Sequence, residues 1–315
     1  MNDPDPEKSG HTFLPVSSIL LVVFLALIWG LNWPAIRVAV LEISPWTFRA
    51  ICLTAGAATL FALALAKGAR LRVPRDEILP LIVVALLNVA CFHLFTAFGL
   101  TMVEAGRGVI LTFTFPLWSV LIGALVFRES LSPSRLWALI FGLAALGLLI
   151  GPDALSLGAA PLGSLLFVGA ALVWAVATVM MKRRTWSLNS AEFAAWQLAI
   201  GAVPVVIGAL VIDSAPDFGN LSPQGWIALL YTSAIAVAFG QWLWFRILHL
   251  LPASIASIST LSIPIVGVFS SALLLGELIG WREGVALLLV LAALFLVLVG
   301  RDGFLALRRT LRQRR

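Results

Sequence analysis

Residues 108–150 read GVILTFTFPLWSVLIGALVFRESLSPSRLWALIFGLAALGLLI, and residues 256–298 read ASISTLSIPIVGVFSSALLLGELIGWREGVALLLVLAALFLVL. One offset of 148 residues aligns Ala105 with Ala253, Pro116 with Pro264 and Glu129 with Glu277. The residues ahead of this stretch match at an offset of 145: Trp29 with Trp174, Arg37 with Lys182 and Phe48 with Phe193. The chain states one apolar pattern twice, and internal repeats of this length identify one structural unit used two times.

Of 315 residues, 61% are hydrophobic and 11% charged, with a mean hydropathy of +1.05. A soluble domain carries about 25% charge, so this chain belongs in lipid. Its apolar runs of about 20 residues are long enough to cross a bilayer as helices. They are too continuous for the alternating strands of about 10 residues in a membrane barrel. Lipid offers no partner for backbone polar groups, which leaves helices. The expected fold class is an all-α polytopic membrane protein with ten transmembrane helices, at 16–38, 45–66, 78–100, 105–127, 134–151, 161–181, 190–212, 224–246, 252–276 and 281–300. The order is a cytoplasmic tail (1–15), a five-helix repeat (16–151), a linker (152–160), a second five-helix repeat (161–300) and a basic cytoplasmic tail (301–315) suited to anionic lipid. The first apolar run reads as a retained helix, not a signal peptide. Cys52 and Cys91 sit inside apolar runs without metal-ligand spacing and read as small fillers.

The net charge of +6 does not point to nucleic acid, because the basic residues are spread over loops and the C-terminal tail. With both termini cytoplasmic, 17 of the 21 Lys and Arg residues fall inside, and only Arg37, Arg49, Arg107 and Arg282 fall outside. The positive-inside rule is obeyed. Five helices per copy is an odd number, so the second copy enters the membrane from the opposite face. Inverted repeats of this kind have a pseudo-two-fold axis in the membrane plane, and exchanging their conformations converts an inward-open state into an outward-open one.

Pro116 and Pro264 fall at the middle of helices 4 and 9, where proline cannot bond the carbonyl four residues back. Those carbonyls belong to Thr112 and Thr260. The two prolines are candidate hinges and the two threonines candidate cavity residues. Ser254, Ser257, Ser259 and Ser262 share the Pro264 helix and suit close helix contact. Trp29, Asn32 and Trp33 on helix 1, and Trp174 and Thr178 on helix 6, are candidate cavity walls; Asn32 is costly to leave unpaired in lipid. His93 is the deep histidine, with Asn88 and Thr96 on its own helix and Gln241 as its repeat mate. Tyr231 and Trp244 accompany Gln241 on helix 8. Intramembrane ionisable groups mark pathways by default, and we read Asn88, His93, Tyr231, Gln241 and Trp244 as substrate contacts. Glu129 and Glu277 lie about 20 Å of helix rise beyond the prolines, so they stand at opposite membrane surfaces. They are expected to cap or anchor a helix start, with Arg128, Arg135 or Arg282 as ion partners. Arg49 is expected to snorkel to headgroups, or else to draw carboxylates into an outer vestibule.

The paired Pro–x12–Glu stretches, each followed by a Gly/Leu-rich helix, and the tryptophan-bearing openings ALIWGLNWPAIR and ALVWAVATVMMK resemble the drug/metabolite transporter superfamily, in particular its ten-helix EamA-type exporters. Glu277 has the family's Leu-Gly-Glu context; the first copy departs from it with Phe-Arg-Glu at residues 127–129. The resemblance covers residues 16–300. It implies a central cavity built from helices 1, 3, 4, 6, 8 and 9, with helices 5 and 10 structural. It also implies a place in the bacterial inner membrane and export of amino acids, aromatic, apolar or Thr/Met-like.

The leading expectation is a secondary transporter of small metabolites, without a cofactor, catalytic residues or a metal. No phosphate-binding GxxxxGK[ST] loop occurs in the sequence. An intramembrane enzyme would need a nucleophile–base pair or a metal cluster, and one deep histidine without a deep carboxylate argues against it. Transport of nucleotides or phosphorylated sugars, and a channel or structural membrane protein, are the alternatives. The expected partners are a small-molecule substrate and the bilayer; monomer and homodimer both stay open.

Overall fold

A computed structural model of the chain describes residues 16–69, 71–154, 159–214, 218–250 and 261–298. Ten helical segments run through them, and no strand occurs among the described residues. The first repeat holds α1 (Val16–Glu42), α2 (Pro45–Ala66), α3 (Arg75–Met102), α4 (Ala105–Phe127) and α5 (Pro133–Ala154). The second holds α6 (Ala159–Lys182), α7 (Ser190–Ile212), α8 (Pro223–Leu230, Tyr231–Phe239 and Gly240–Leu250), α9 (described from Ser262 to Leu275) and α10 (Trp281–Leu298). The first eight each contain a stretch long and apolar enough to cross a membrane; the described part of α9 is shorter but equally apolar.

Local chemistry sets the helix ends. Proline opens α2, α5 and the first part of α8, where its missing N–H costs nothing. α7 starts with a capping box: the Asn189 side chain accepts from the N–H groups of Ala191 and Glu192, and Glu192 accepts from the N–H of Asn189. Asp213, just past the end of α7, accepts from the Ser44 hydroxyl (2.7 Å) and from the Thr47 N–H (3.0 Å) and hydroxyl (2.6 Å), so one helix end caps another.

The Phe-Arg-Glu departure has a backbone consequence. Gly276 terminates α9 in the left-handed region (φ 68°), and its mate Arg128 takes the same conformation (φ 55°) at the end of α4. Glycine adopts this turn freely, whereas a Cβ makes it costly. Arg128→Gly is expected to stabilise the protein by about 1 kcal/mol, read as a raised midpoint of thermal unfolding in detergent.

The bundle is inside-out relative to a soluble protein. Leu210 and Leu273 are 78% and 83% exposed, as side chains facing lipid must be, while small residues line the contacts between helices. Across the repeats, α2 packs on α7, α5 on α10 and α4 on α9; α1 meets α8 and α9 just as α6 meets α3 and α4. Exchanging each helix with its repeat mate reproduces this pattern, which is a pseudo-two-fold arrangement of two inverted five-helix units.

Two features break the helices where the repeats correspond. α4 stops at Thr112, turns through Phe113 and Thr114, and restarts at Phe115. Pro116 therefore stands in the first turn of a new half-helix rather than inside a continuous one. The described part of α9 likewise begins at Ser262, two residues before Pro264. At the turn in α4 the Phe113 N–H donates to the Val109 carbonyl (3.0 Å) and the Thr114 N–H and Oγ1 both donate to that of Leu111 (3.3 and 2.6 Å), while Thr112 Oγ1 donates back to the Gly108 carbonyl (2.8 Å).

The second interruption explains the change of offset. α3 widens into a π-helix over Leu86–Cys91 and α8 over Tyr231–Phe239. The two stretches begin 145 residues apart and end 148 apart. The three extra residues of the second copy are thus absorbed inside a π-helix, whose wider turn takes insertions without ending the helix and recurs at functional sites.

Candidate functional site

The interrupted helices meet the tryptophans of α1 and α6. In the first repeat, Phe92 follows the π stretch of α3, and Phe115 follows the turn in α4. Trp174 from α6 lies against both, with ring centroids 4.5 Å and 5.9 Å away. Phe92 also meets the His93 ring edge-on at 5.4 Å.

The matching place in the second repeat is built differently. The mate of Phe92 is Gly240, and a Cβ there would lie 2.7 Å from Trp29 Nε1. Without that side chain Trp29 comes close enough to α8 to donate its indole N–H to the Ala236 carbonyl at 3.1 Å, within the π stretch. Tyr231 answers by donating its hydroxyl to the Ile28 carbonyl at 2.9 Å, and Trp244 packs beside Trp29 at 5.8 Å. The α1–α8 contact is cross-stitched by hydrogen bonds, while the equivalent α6–α3 contact rests on stacked rings.

Buried polar atoms gather around the same interruptions. Asn32 Oδ1 on α1, Asn88 Oδ1 and His93 Nδ1 on α3, and Thr232 Oγ1 on α8 are buried without a hydrogen-bond partner among the described residues. Asn88 and Thr232 lie inside the two π stretches, and His93 two residues beyond the first. Buried polar groups are normally satisfied by protein or water, so each of these four atoms is open to a polar partner, and those of α3 and α8 stand in or next to the π stretches.

The remaining candidates divide by location. Trp33 is 8% exposed and packs against Phe167 of α6 at 6.3 Å, inside the main core. Thr112 and Thr178 spend their hydroxyl protons on the carbonyls of Gly108 and Trp174 in their own helices. Gln241 is half-buried on α8. Pro116 and Pro264 are buried beside the helix restarts. Thr260, with Ser254, Ser257 and Ser259, lies outside the described residues. Asn88 donates to Gln197 Oε1 of α7 at 3.0 Å. Gln197 was not among the expected site residues, although an amide inside an apolar helix is a legible signal in the sequence.

The acidic helix ends bind across the repeats. Glu277 accepts from the N–H groups of Ala105 (2.7 Å) and Gly106 (2.9 Å) at the start of α4, and pairs with Arg37 Nε at 3.6 Å rather than with Arg282. Glu129 pairs with Arg183 at 2.5 Å and with Arg135 at 3.4 Å, rather than with Arg128. Arg49 does not snorkel. It is 1% exposed, donating from Nε to the His93 carbonyl (3.0 Å) and from Nη2 to Thr96 Oγ1 (3.1 Å), with its guanidinium 5.3 Å from the Phe48 ring centre.

Two homologous halves, helices interrupted at corresponding positions and aromatic contacts where the halves meet define a membrane transporter architecture. The chain belongs to the EamA-like transporter family, whose model matches residues 16–151 and 161–299, one match for each repeat. It is 26% identical over 282 residues to the uncharacterized transporter YoaV of Bacillus subtilis, covering 89% of this chain and 96% of that protein. It is 23% identical over 294 residues to Protein PagO of Salmonella typhimurium, with 91% and 94% covered. An Escherichia coli protein named "Probable amino-acid metabolite efflux pump" is 22% identical over 291 residues, with 89% and 94% covered. A crystal structure of a protein 20% identical in sequence shares the fold, with a TM-score of 0.61 over 93% of this chain and 98% of that one.

Proposed function

We propose that this protein is a secondary transporter that exports small metabolites, amino acids foremost, by alternating access between its inverted repeats, in the bacterial inner membrane with both termini cytoplasmic. The observation that carries the reading is the coincidence of two helix interruptions, in α3 and α4, with the Phe92–Phe115–Trp174 rings and the buried, unanswered polar atoms of Asn88 and His93. Aromatic faces suit an apolar side chain, and unpaired acceptors suit an ammonium group, which has three donors and no acceptor. The name of the Escherichia coli relative supports the same class. The step needs no bond chemistry, only a solute bound equally well from either face as the two repeats exchange conformations.

Reconstitution into liposomes with labelled amino acids, with and without a pH gradient, tests this. Saturable flux of aromatic or Thr/Met-like amino acids is the expected result. Silence on every amino acid, with flux of nucleotides or phosphorylated sugars, would overturn the substrate class; single-channel conductance would overturn the carrier mechanism. Trp174→Ala is expected to lower flux at subsaturating substrate about tenfold, the factor that roughly 1.4 kcal/mol of lost aromatic contact produces, with membrane insertion intact. Unchanged kinetics would remove Trp174 from the site.

A further inference from the structure

We infer that Glu277 with Arg37, and Glu129 with Arg183, are latches at opposite faces of the protein, both formed in this structure, and that the drier Glu277 latch is the one that holds its face closed. The inference rests on the alternating-access reading.

The Glu277 latch ties four helices together at one face. Glu277, just past the end of α9, holds the first two N–H groups of α4 with its two carboxylate oxygens. Arg37, near the end of α1, donates from Nη1 to the carbonyls of Leu100 and Val103 at the end of α3, both at 2.5 Å. An anion therefore sits on a helix N-terminus and a cation on a helix C-terminus, each favoured by the local dipole, and the two are joined at 3.6 Å. Their side chains are 11% and 22% exposed. α3 and α4 belong to the first repeat and α9 to the second, so this face cannot open between the repeats without breaking those contacts.

The second latch is its counterpart. Glu129 follows α4 as Glu277 follows α9, and its partner Arg183 is the neighbour of Lys182, the repeat mate of Arg37, at the end of α6. Here the pair is 44% and 43% exposed, and Arg183 rests on the Phe127 ring at 3.6 Å. The positions equivalent to Ala105 and Gly106 are Ala253 and Ser254, outside the described residues. A dry knot at one face and a wet pair at the other is the asymmetry that one end state of an inverted-repeat carrier requires. In the opposite state the two latches trade environments.

The test is a distance measurement on the full chain in liposomes, with Cys52 and Cys91 replaced by alanine. Spin labels on Leu41→Cys and Leu278→Cys report the Glu277 face, both sites being exposed. Labels on Leu131→Cys and Lys182→Cys report the Glu129 face. Glu277→Gln is expected to raise the population with the longer Leu41–Leu278 distance about tenfold, as the loss of one charge-assisted hydrogen bond produces, and to shorten the Leu131–Lys182 distance in step. Arg37→Gln, which leaves the capping bonds to α4 in place, is expected to shift both distances the same way by less, and it serves if Glu277→Gln does not fold. The swap Arg37→Glu with Glu277→Arg is expected not to restore the closed distance, because arginine cannot accept from the N–H groups of α4. Unmoved distances in both single variants, or full rescue by the swap, would overturn the latch. Distances that respond while no amino acid is transported would uphold the latch and reject the substrate class; normal flux with unmoved distances would reject the latch alone.

Discussion

Phe167→Ala is expected to cost about 3–5 kcal/mol of stability, the range for emptying a fully buried aromatic site. Phe167 is 0% exposed and projects from α6 into a groove that α3 and α4 leave open for it. The groove exists because Gly99 and Gly108 carry no side chain; a Cβ would meet the ring at 2.9 Å on Gly99 and 2.4 Å on Gly108. Trp33 of α1 closes the far side at 6.3 Å. One ring thus joins helices of both repeats, and its removal leaves a cavity that rigid neighbouring backbones cannot collapse. Thermal or steric-trap unfolding of the purified protein reads the loss. Gly108→Val is the converse: it overfills the groove and is expected to destabilise by about 1–3 kcal/mol. A small effect for Phe167→Ala would mean that α6 can settle onto α3 and α4, and the ring would lose its place as the inter-repeat knob.

Arg49→Ala is expected to be comparably damaging, at roughly 3–5 kcal/mol, but for a different reason and with a telling control. The side chain is fully buried, and its guanidinium holds the His93 carbonyl and the Thr96 hydroxyl beside the π stretch of α3. Truncation opens a cavity and removes both contacts at once. Arg49→Met fills most of the volume and no longer buries a cation, which itself is costly, so it should recover at least half of the loss. The stabilities of the two variants and their flux decide what Arg49 does. Stability recovered in Arg49→Met with flux still impaired assigns the charge to holding α3 in its transporting shape; full recovery of both makes Arg49 a packing residue.

Arg49 shows where reading the chain alone stops. Close to Pro45 and Trp46 at the start of a helix, it looks like a headgroup anchor, because nothing nearby in sequence distinguishes a side chain that turns outward from one that turns inward. Glu277 is similar. Its position just past a helix end is legible from the Pro–x12–Glu spacing, but its partners Arg37, Ala105 and Gly106 come from the other repeat. The π stretches were half visible: the change in offset between Phe48 and Ala105 announced three inserted residues, but composition did not say whether a loop or a widened helix held them. The prolines were legible as interruptions, since a missing N–H needs no neighbours to be recognised, yet the turn through Phe113 and Thr114, with the bonds its hydroxyls make, became clear only in three dimensions.

The sequence by itself determined the medium, the number of apolar segments, the duplication and the family, because each follows from composition and spacing along one dimension. The tertiary structure decided which tryptophan bonds to a backbone and which stacks on a ring, that Arg49 is buried, and which cation meets which carboxylate. Those outcomes depend on how two chemically similar repeats meet face to face. Two differences at the contact change the hydrogen bonding of the α1–α8 seam: Gly240 where the first repeat has Phe92 lets Trp29 reach the Ala236 carbonyl, and Tyr231 where the first repeat has Leu86 adds the bond to Ile28.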